Sequence, residues 1–385
     1  MKSVFGRALG LGLITVFCAA CGAGDDTEPP ATVTKYYAYV ATRVVAGGSI
    51  YGFSINATTG ALTAITGSPF PTGAQLSPSS MAIDPAGRFA YVASPYLTLS
   101  SGYVSAYQID PTSGRLRENA NSPFLLGNCF GIAFNSTGRF AYFAEMPSQV
   151  RAFDLDLGQG SLTTEIPGSP YGFGGQGLPW NINVDPSGHN LLYVLNSDLG
   201  IYGYKINSAT GELTLIQGSP FPGTQDAYSF GMDPQSKFLY AANTGLRTVS
   251  AFRIDSASGQ LTEIPGSRVA AGSTPQSVTV GLSGKFAYVA DTGSDQVMVY
   301  TVNAATGALT FTSSFSRSGS SPRFVTIEPT GKFAYVAYIA NSGSGEISIC
   351  AINPSTGALT QINESPLSLG AAMRPEAIAI VKIIQ

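Results

Sequence analysis

The stretch DPAGRFAYVA, residues 84–93, holds a pentapeptide that returns unchanged: FAYVA stands at 89–93, at 286–290 and at 333–337. Looser copies fill the intervals, YAYVA from 37, FAYFA from 140, LLYVL from 191 and FLYAA from 238. Their central tyrosines, Tyr39, Tyr91, Tyr142, Tyr193, Tyr240, Tyr288 and Tyr335, follow one another at 52, 51, 51, 47, 48 and 47 residues. Seven units of about fifty residues therefore tile the chain from Lys35 to its end.

Each unit has the same internal order, clearest in the fifth: FLYAAN, a short loop, TVSAFRID, the turn SASGQ, LTEIPGS, a longer loop, then PQSVTVG. Short runs rich in Val, Ile, Tyr and Thr between Gly/Pro/Ser/Asn/Asp clusters read as strands joined by turns, with no helical period. Four strands in a fixed period of this length predict an all-β fold, a seven-bladed β-propeller with four antiparallel strands per blade. The chain begins with the second strand of a blade (KYYAYVA) and ends with an unpaired first strand (PEAIAIVKI), so pairing the two would close the ring and cover two open edges. A two-domain β protein fits neither the count of repeats nor these complementary ends.

Composition agrees: 385 residues, 44% hydrophobic and only 11% charged, with 45 glycines, 19 tyrosines and 21 phenylalanines. That is a folded, core-rich chain. At its start Lys2 and Arg7 precede the apolar run Ala8–Ala20 and then the acidic DDTEPP, the pattern of a secretory leader too short to span a membrane. The FCAAC of residues 17–21 resembles a bacterial lipobox, with Cys18 where Leu is usual; the expectation is a leader over 1–20, lipidation of Cys21, a tether over 21–34 and the propeller over 35–385. Ordinary cleavage near Ala23 is the alternative. Without residues 1–20 the chain carries 18 basic and 23 acidic residues, a formal charge of −5, which suits neither DNA nor RNA. We expect an exported, monomeric protein of the bacterial cell envelope, touching the membrane through its lipid alone and meeting a small ligand or an envelope protein. Cys129 and Cys350 fall in non-adjacent units, so they are expected as free thiols.

Comparing the seven copies separates two faces. The turn before each FAYVA strand (DPAGR, NSTGR, DPSGHN, DPQSK, GLSGK, EPTGK) and the next but one (NATTGA, DPTSGR, DLGQGS, NSATGE, DSASGQ, NAATGA, NPSTGA) hardly vary, because a tight turn needs a side-chain acceptor, a fixed φ and a residue tolerant of positive φ. The loop after FAYVA and the crossing to the next unit do vary, and strand alternation puts them together on the opposite face. Variation on a constant scaffold is where binding is usually placed. At the start of each first strand, equivalent positions hold Ser79, Phe130, Trp180, Tyr228, Gln276, Arg323 and Glu376. Of these, Phe130, Trp180, Tyr228, Gln276, Arg323 and Glu376 are the candidate ligand residues: aromatic surface on one side, a cation and an anion on the other. The alternative is that the aromatics plug the axis while Arg323 merely pairs with Glu376.

The repeated D-P-x-G-[RK]-F-A-Y-V-A, the x-V-x-x-[YF]-x-I-[DN] strand, TGALT and GSPFP resemble the lactonase-family seven-bladed propellers, the group of 6-phosphogluconolactonase and the fungal carboxymuconate-lactonising enzymes, and YVTN-type repeat propellers, over about residues 35–385. The resemblance implies the fold and a lactone-opening ancestry. That family's enzymes carry Gly-Pro-Arg-His at the start of a first strand and further histidines; here SPRF (321–324) keeps Arg323 but has Phe324, and PWNI, PQSV and RPEA have no histidine either. Glu145 in FAEM lies one residue short of the family's glutamate. The expectation is thus a binding module without catalytic residues, the alternative a lactone hydrolase using Arg323 with Glu376 or Glu145. The single histidine, His189, falls in a constant-face turn lengthened by one residue. There is no metal-ligand cluster, no phosphate loop leading into a helix, and no serine with a base beside it, so no cofactor or metal is implied.

Overall fold

The computed structural model describes residues 32–44, 47–74, 77–96, 101–173, 177–224 and 226–385; the leader, Cys21 and most of the tether lie outside them. Residues 34–385 form seven antiparallel sheets. Blades 1 to 6 start at Ser80, Cys129, Pro179, Ala227, Pro275 and Ser320. Blade 7 is the expected clasp: Arg374–Ile384 is its innermost strand and pairs with Thr34–Val44, followed outward by Gly47–Ile55 and Leu62–Ala64.

The pentapeptide explains the packing. Successive side chains of a strand point to opposite faces, so in blade 1 Phe89, Tyr91 and Ala93 enter the layer shared with blade 2, while Ala90 and Val92 enter the layer shared with blade 7. Large residues look forward and small ones back. Seven apolar clusters result, each seated between two neighbouring blades, and all seven repeat tyrosines are fully buried. Burial raises their phenol pKa values well above the ordinary range, so they remain neutral donors.

Each tyrosine hydroxyl donates to one backbone carbonyl in the next blade, that of the glycine in the constant TG-type turn, at 2.6–3.1 Å: Tyr39 to Gly114, Tyr91 to Gly160, Tyr142 to Gly211, Tyr193 to Gly259, Tyr240 to Gly307, Tyr288 to Gly357 and, across the clasp, Tyr335 to Gly60. Those glycines have φ between 65° and 78°. A Cβ on Gly60 would stand 2.4 Å from Phe333, the first residue of the preceding blade's FAYVA. The two motifs are thus halves of one inter-blade joint.

The four-stranded blades carry one detail beyond the repeat pattern. The outer strand is split in most blades into two short pieces that both pair with the third strand, as Leu116–Glu118 and Phe124–Leu126 do with Gly102–Ile109. The break coincides with a Gly-Ser-Pro or Asn-Ser-Pro motif, whose serine Oγ accepts a third-strand N–H: Ala106 N to Ser122, Ala152 N to Ser169, Gly203 N to Ser219. Blade 5 has no such motif, and its outer strand, Leu309–Ser316, runs unbroken. Cys129 and Cys350 are buried free thiols. His189 sits in the lengthened turn, its Nδ1 2.7 Å from Ser187 Oγ and its backbone N–H donating to Asp185.

Candidate functional site

The innermost strands surround an open axial cavity of about 1480 Å³. Beyond the mouth its lining mixes small and polar residues, such as Gly131, Ser229, Gly231, Ser277, Thr279, Thr326 and Ala377, with aliphatic ones, such as Ile182, Val184, Met232, Val280 and Ile378. The axis is not plugged by the aromatics. Several of the polar side chains are already spent on carbonyls of the following blade, Thr279 Oγ1 donating to Val325 O and Thr326 Oγ1 to Ile378 O. What such hydroxyls still present to the cavity is lone pairs.

The mouth is built by a repeated irregularity. In blades 2 to 7 the ladder between first and second strands slips by one residue, and the residue left over is Phe130, Trp180, Tyr228, Gln276, Arg323 or Glu376. A β-bulge leaves its extra residue unpaired and re-aims its side chain. All six candidate residues are therefore brought to one rim by the same device. Five of them, with Ser79, line the cavity; Gln276 does not, although its Oε1 is buried without a hydrogen-bond partner in the protein.

The rim has two unlike sides. On blades 2 to 4 the rings of Phe130 and Trp180 meet edge-on at 5.1 Å, and Trp180 stacks on Tyr228 at 5.2 Å and 24°. On blades 6 and 7, Glu376 is 7% exposed and faces two guanidinium groups: its Oε2 accepts from Arg323 Nη2 at 3.3 Å, and its Oε1 lies 3.1 Å from Arg43 Nη2. Burial pushes the Glu376 carboxyl above the ordinary carboxylate range, and the nearby charges of Arg323, Arg43 and Arg374 pull it partly back. Arg323 Nε is buried and meets no acceptor within the protein, and its guanidinium lies 6.0 Å from the Phe324 ring. One carboxylate among three arginines leaves this side positively charged.

Arg43 is the site residue that comparison of the repeats misses. It lies two residues past the end of a FAYVA copy, near the end of the Thr34–Val44 strand, where the units no longer share a sequence.

Glu145 is elsewhere. It ends the second strand of blade 2, 1% exposed, accepting from Gly127 N and, at 2.7 Å, from Gln149 Nε2, with Arg151 Nη1 3.9 Å away. The equivalent residues Thr42, Ser94, Asn196, Asn243, Asp291 and Tyr338 are equally buried, and Asp291 likewise holds the backbone N–H groups of Ser273 and Thr274. Glu145, Asn196 and Asp291 thus hold backbone N–H groups of the variable loops. The pairing of Arg323 with Glu145 is therefore corrected: the structure joins Arg323 to Glu376 only. No group of three His, Cys, Asp or Glu side chains converges as a metal site among the described residues.

The family model for the seven-bladed β-propeller lactonases matches residues 31–128, 131–274 and 266–374. A candidate 6-phosphogluconolactonase from Bacteroides uniformis superposes with a TM-score of 0.72 at 21% identity, covering 90% of this chain and 99% of that one. The periplasmic gluconolactonase PpgL of Pseudomonas aeruginosa gives 0.72 at 19%, covering 91% and 99%. At these identities the likeness is one of fold. A search of curated protein sequences returned no match.

Proposed function

Since the chain belongs to the seven-bladed β-propeller lactonase family, we propose that its axial mouth binds a sugar-derived lactone and hydrolyses it. The observation that supports this most is the bulged rim, which gathers Arg323, Arg43 and a buried Glu376 at an open cavity. Arginine N–H groups of Arg323 and Arg43 hydrogen-bond the lactone carbonyl oxygen and stabilise the negative charge that grows on it. Glu376, made more basic by burial, takes a proton from water as the water oxygen adds to the carbonyl carbon. The ring C–O bond then breaks, and the departing alkoxide takes that proton, giving the hydroxy acid. A carboxyl whose pKa is raised by burial in a cleft is a functional candidate on general grounds.

A second reading, binding without turnover, is favoured by a specific observation. Both Glu376 oxygens face guanidinium groups, and Phe324 stands where the family's enzymes have histidine. Acid release from purified protein and a panel of aldonolactones, measured above spontaneous hydrolysis, separates the two. Expected are turnover, at least a tenfold loss of kcat/KM in Arg323→Ala, and loss of turnover in Glu376→Gln. Binding of the hydroxy acids with no turnover on any lactone overturns the hydrolase reading and leaves the second.

Export, lipidation at Cys21 and a place in the bacterial envelope belong to the same proposal, supported by Lys2, Arg7, the apolar run and FCAAC. A Cys21→Ala chain that still partitions with membranes refutes the anchor.

A further inference from the structure

The two sides of the rim lie across the ring from each other. The aromatic side belongs to blades 2, 3 and 4 and the charged side to blades 6 and 7, with Ser79 between them on blade 1 and Gln276 on blade 5. A ligand that uses both must cross the mouth. The cavity, about 1480 Å³ with its mouth included, also exceeds the roughly 300–1,000 Å³ usual for small-molecule sites, more than one six-carbon ring requires.

The geometry points to an oligosaccharide acid, or its terminal lactone, as the ligand: the acidic end unit at Arg323 and Arg43, and the next sugar crossing to Trp180 and Tyr228. The inference rests on the reading of the mouth as a lactone site, and it adds the size of the molecule. Each contact has its chemistry on the page. Guanidinium groups hold a carboxylate or a polarised lactone carbonyl. The aromatic side offers apolar surface to the C–H face of a pyranose, and Trp180 and Tyr228 are only half-buried. Lone pairs of the Thr279 and Thr326 hydroxyls, whose protons are spent on backbone carbonyls, accept from sugar hydroxyls. Among the described residues that line the mouth on blades 2 to 4 there is no Lys or Arg to meet a phosphate at the far end.

The test is a calorimetric titration of the purified protein with gluconate, maltobionate, cellobionate and neutral maltotriose. Expected is at least tenfold tighter binding of one of the two disaccharide acids than of gluconate, with maltotriose weaker than either acid. Trp180→Ala removes that gain and leaves gluconate within twofold, and Arg323→Ala weakens all the acids. Equal affinity for gluconate and both disaccharide acids overturns the inference. So does a Trp180→Ala loss as large for gluconate as for the disaccharide, which would put the first sugar under the indole. Binding is read without turnover, so absence of hydrolysis sinks the hydrolase reading alone, and a flat affinity series sinks this one alone.

Discussion

Replacing Gly60 by alanine tests the joint between blades where it also closes the ring. Gly60 has φ +77°, and an ideal Cβ there would lie 2.4 Å from Phe333 Cδ1 and 2.7 Å from its Cγ, ring atoms in a packed core layer with no free rotamer to retreat to. The left-handed backbone costs a residue with Cβ about 1–2 kcal/mol, and forcing a methyl into a filled layer about 1–3 kcal/mol more. Gly60→Ala is thus expected to destabilise by about 2–5 kcal/mol. Two companions divide that sum. Gly343→Ala shares the backbone term alone, since φ there is +81° and a Cβ would meet nothing within 4 Å, so it should lose about 1–2 kcal/mol. Tyr335→Phe leaves the ring in place but strips the Gly60 carbonyl of its 2.8 Å donor, a buried acceptor left unpaired at about 1–3 kcal/mol. Urea unfolding followed by tyrosine fluorescence and far-UV circular dichroism reads all three as midpoint shifts at constant slope. If Gly60→Ala loses no more than Gly343→Ala, or if Tyr335→Phe loses less than about 0.5 kcal/mol, the Tyr–Gly joint does not hold the blades together and the account of the repeats is wrong.

Three further outcomes follow from the structure. His189→Ala, in an exposed turn on the constant face, should change neither binding nor turnover and shift stability by less than about 0.5 kcal/mol; a loss of activity would mean that the faces are reversed. Ser122→Ala removes the Oγ that accepts Ala106 N–H at 3.1 Å and should cost about 1 kcal/mol in the same urea assay, whereas no change would show that the outer-strand break needs no acceptor. If Glu376 is the base, the acid limb of kcat/KM must have its midpoint above the ordinary carboxylate value: the raised pKa means that the group is protonated, and idle, at pH values where an exposed glutamate is already ionised. A limb at or below that value, or one that survives in Glu376→Gln, would assign the proton transfer elsewhere.

The fold was legible because the tyrosine spacing sets the blade count and the complementary ends set the closure, both independent of fine geometry. The site was legible only in part. Aligning first strands picked out Phe130, Trp180, Tyr228, Arg323 and Glu376 because a seven-fold scaffold places equivalent residues on one rim. The bulges that turn them inward leave no mark in residue type, since the bulged position is the one that varies from copy to copy. Arg43 escaped because it lies beyond the repeated pentapeptide, in the last residues of the Thr34–Val44 strand, where the copies no longer share a sequence. Glu145 was misplaced because a buried carboxylate that holds backbone N–H groups and one that faces a ligand look alike in one dimension; its siblings Asn196 and Asp291 were the available clue. The Gly-Ser-Pro and Asn-Ser-Pro serines were likewise visible as a motif, but their work appears only once the third strand's N–H groups are followed to their acceptors.

The hydrogen bonds from Tyr39 to Gly114 and from Tyr335 to Gly60 are equivalent, so the clasp blade carries the same joints as the six blades made of continuous chain. Nothing in the ring therefore marks where a polypeptide ought to begin. Joining the ends by a linker and cutting the chain in the crossing between any two other blades would leave all seven contacts between neighbours intact, and a circularly permuted chain of this kind is expected to reach the same closed disc. The position of the termini is then a matter of where the ring was last opened, not of how it is held shut.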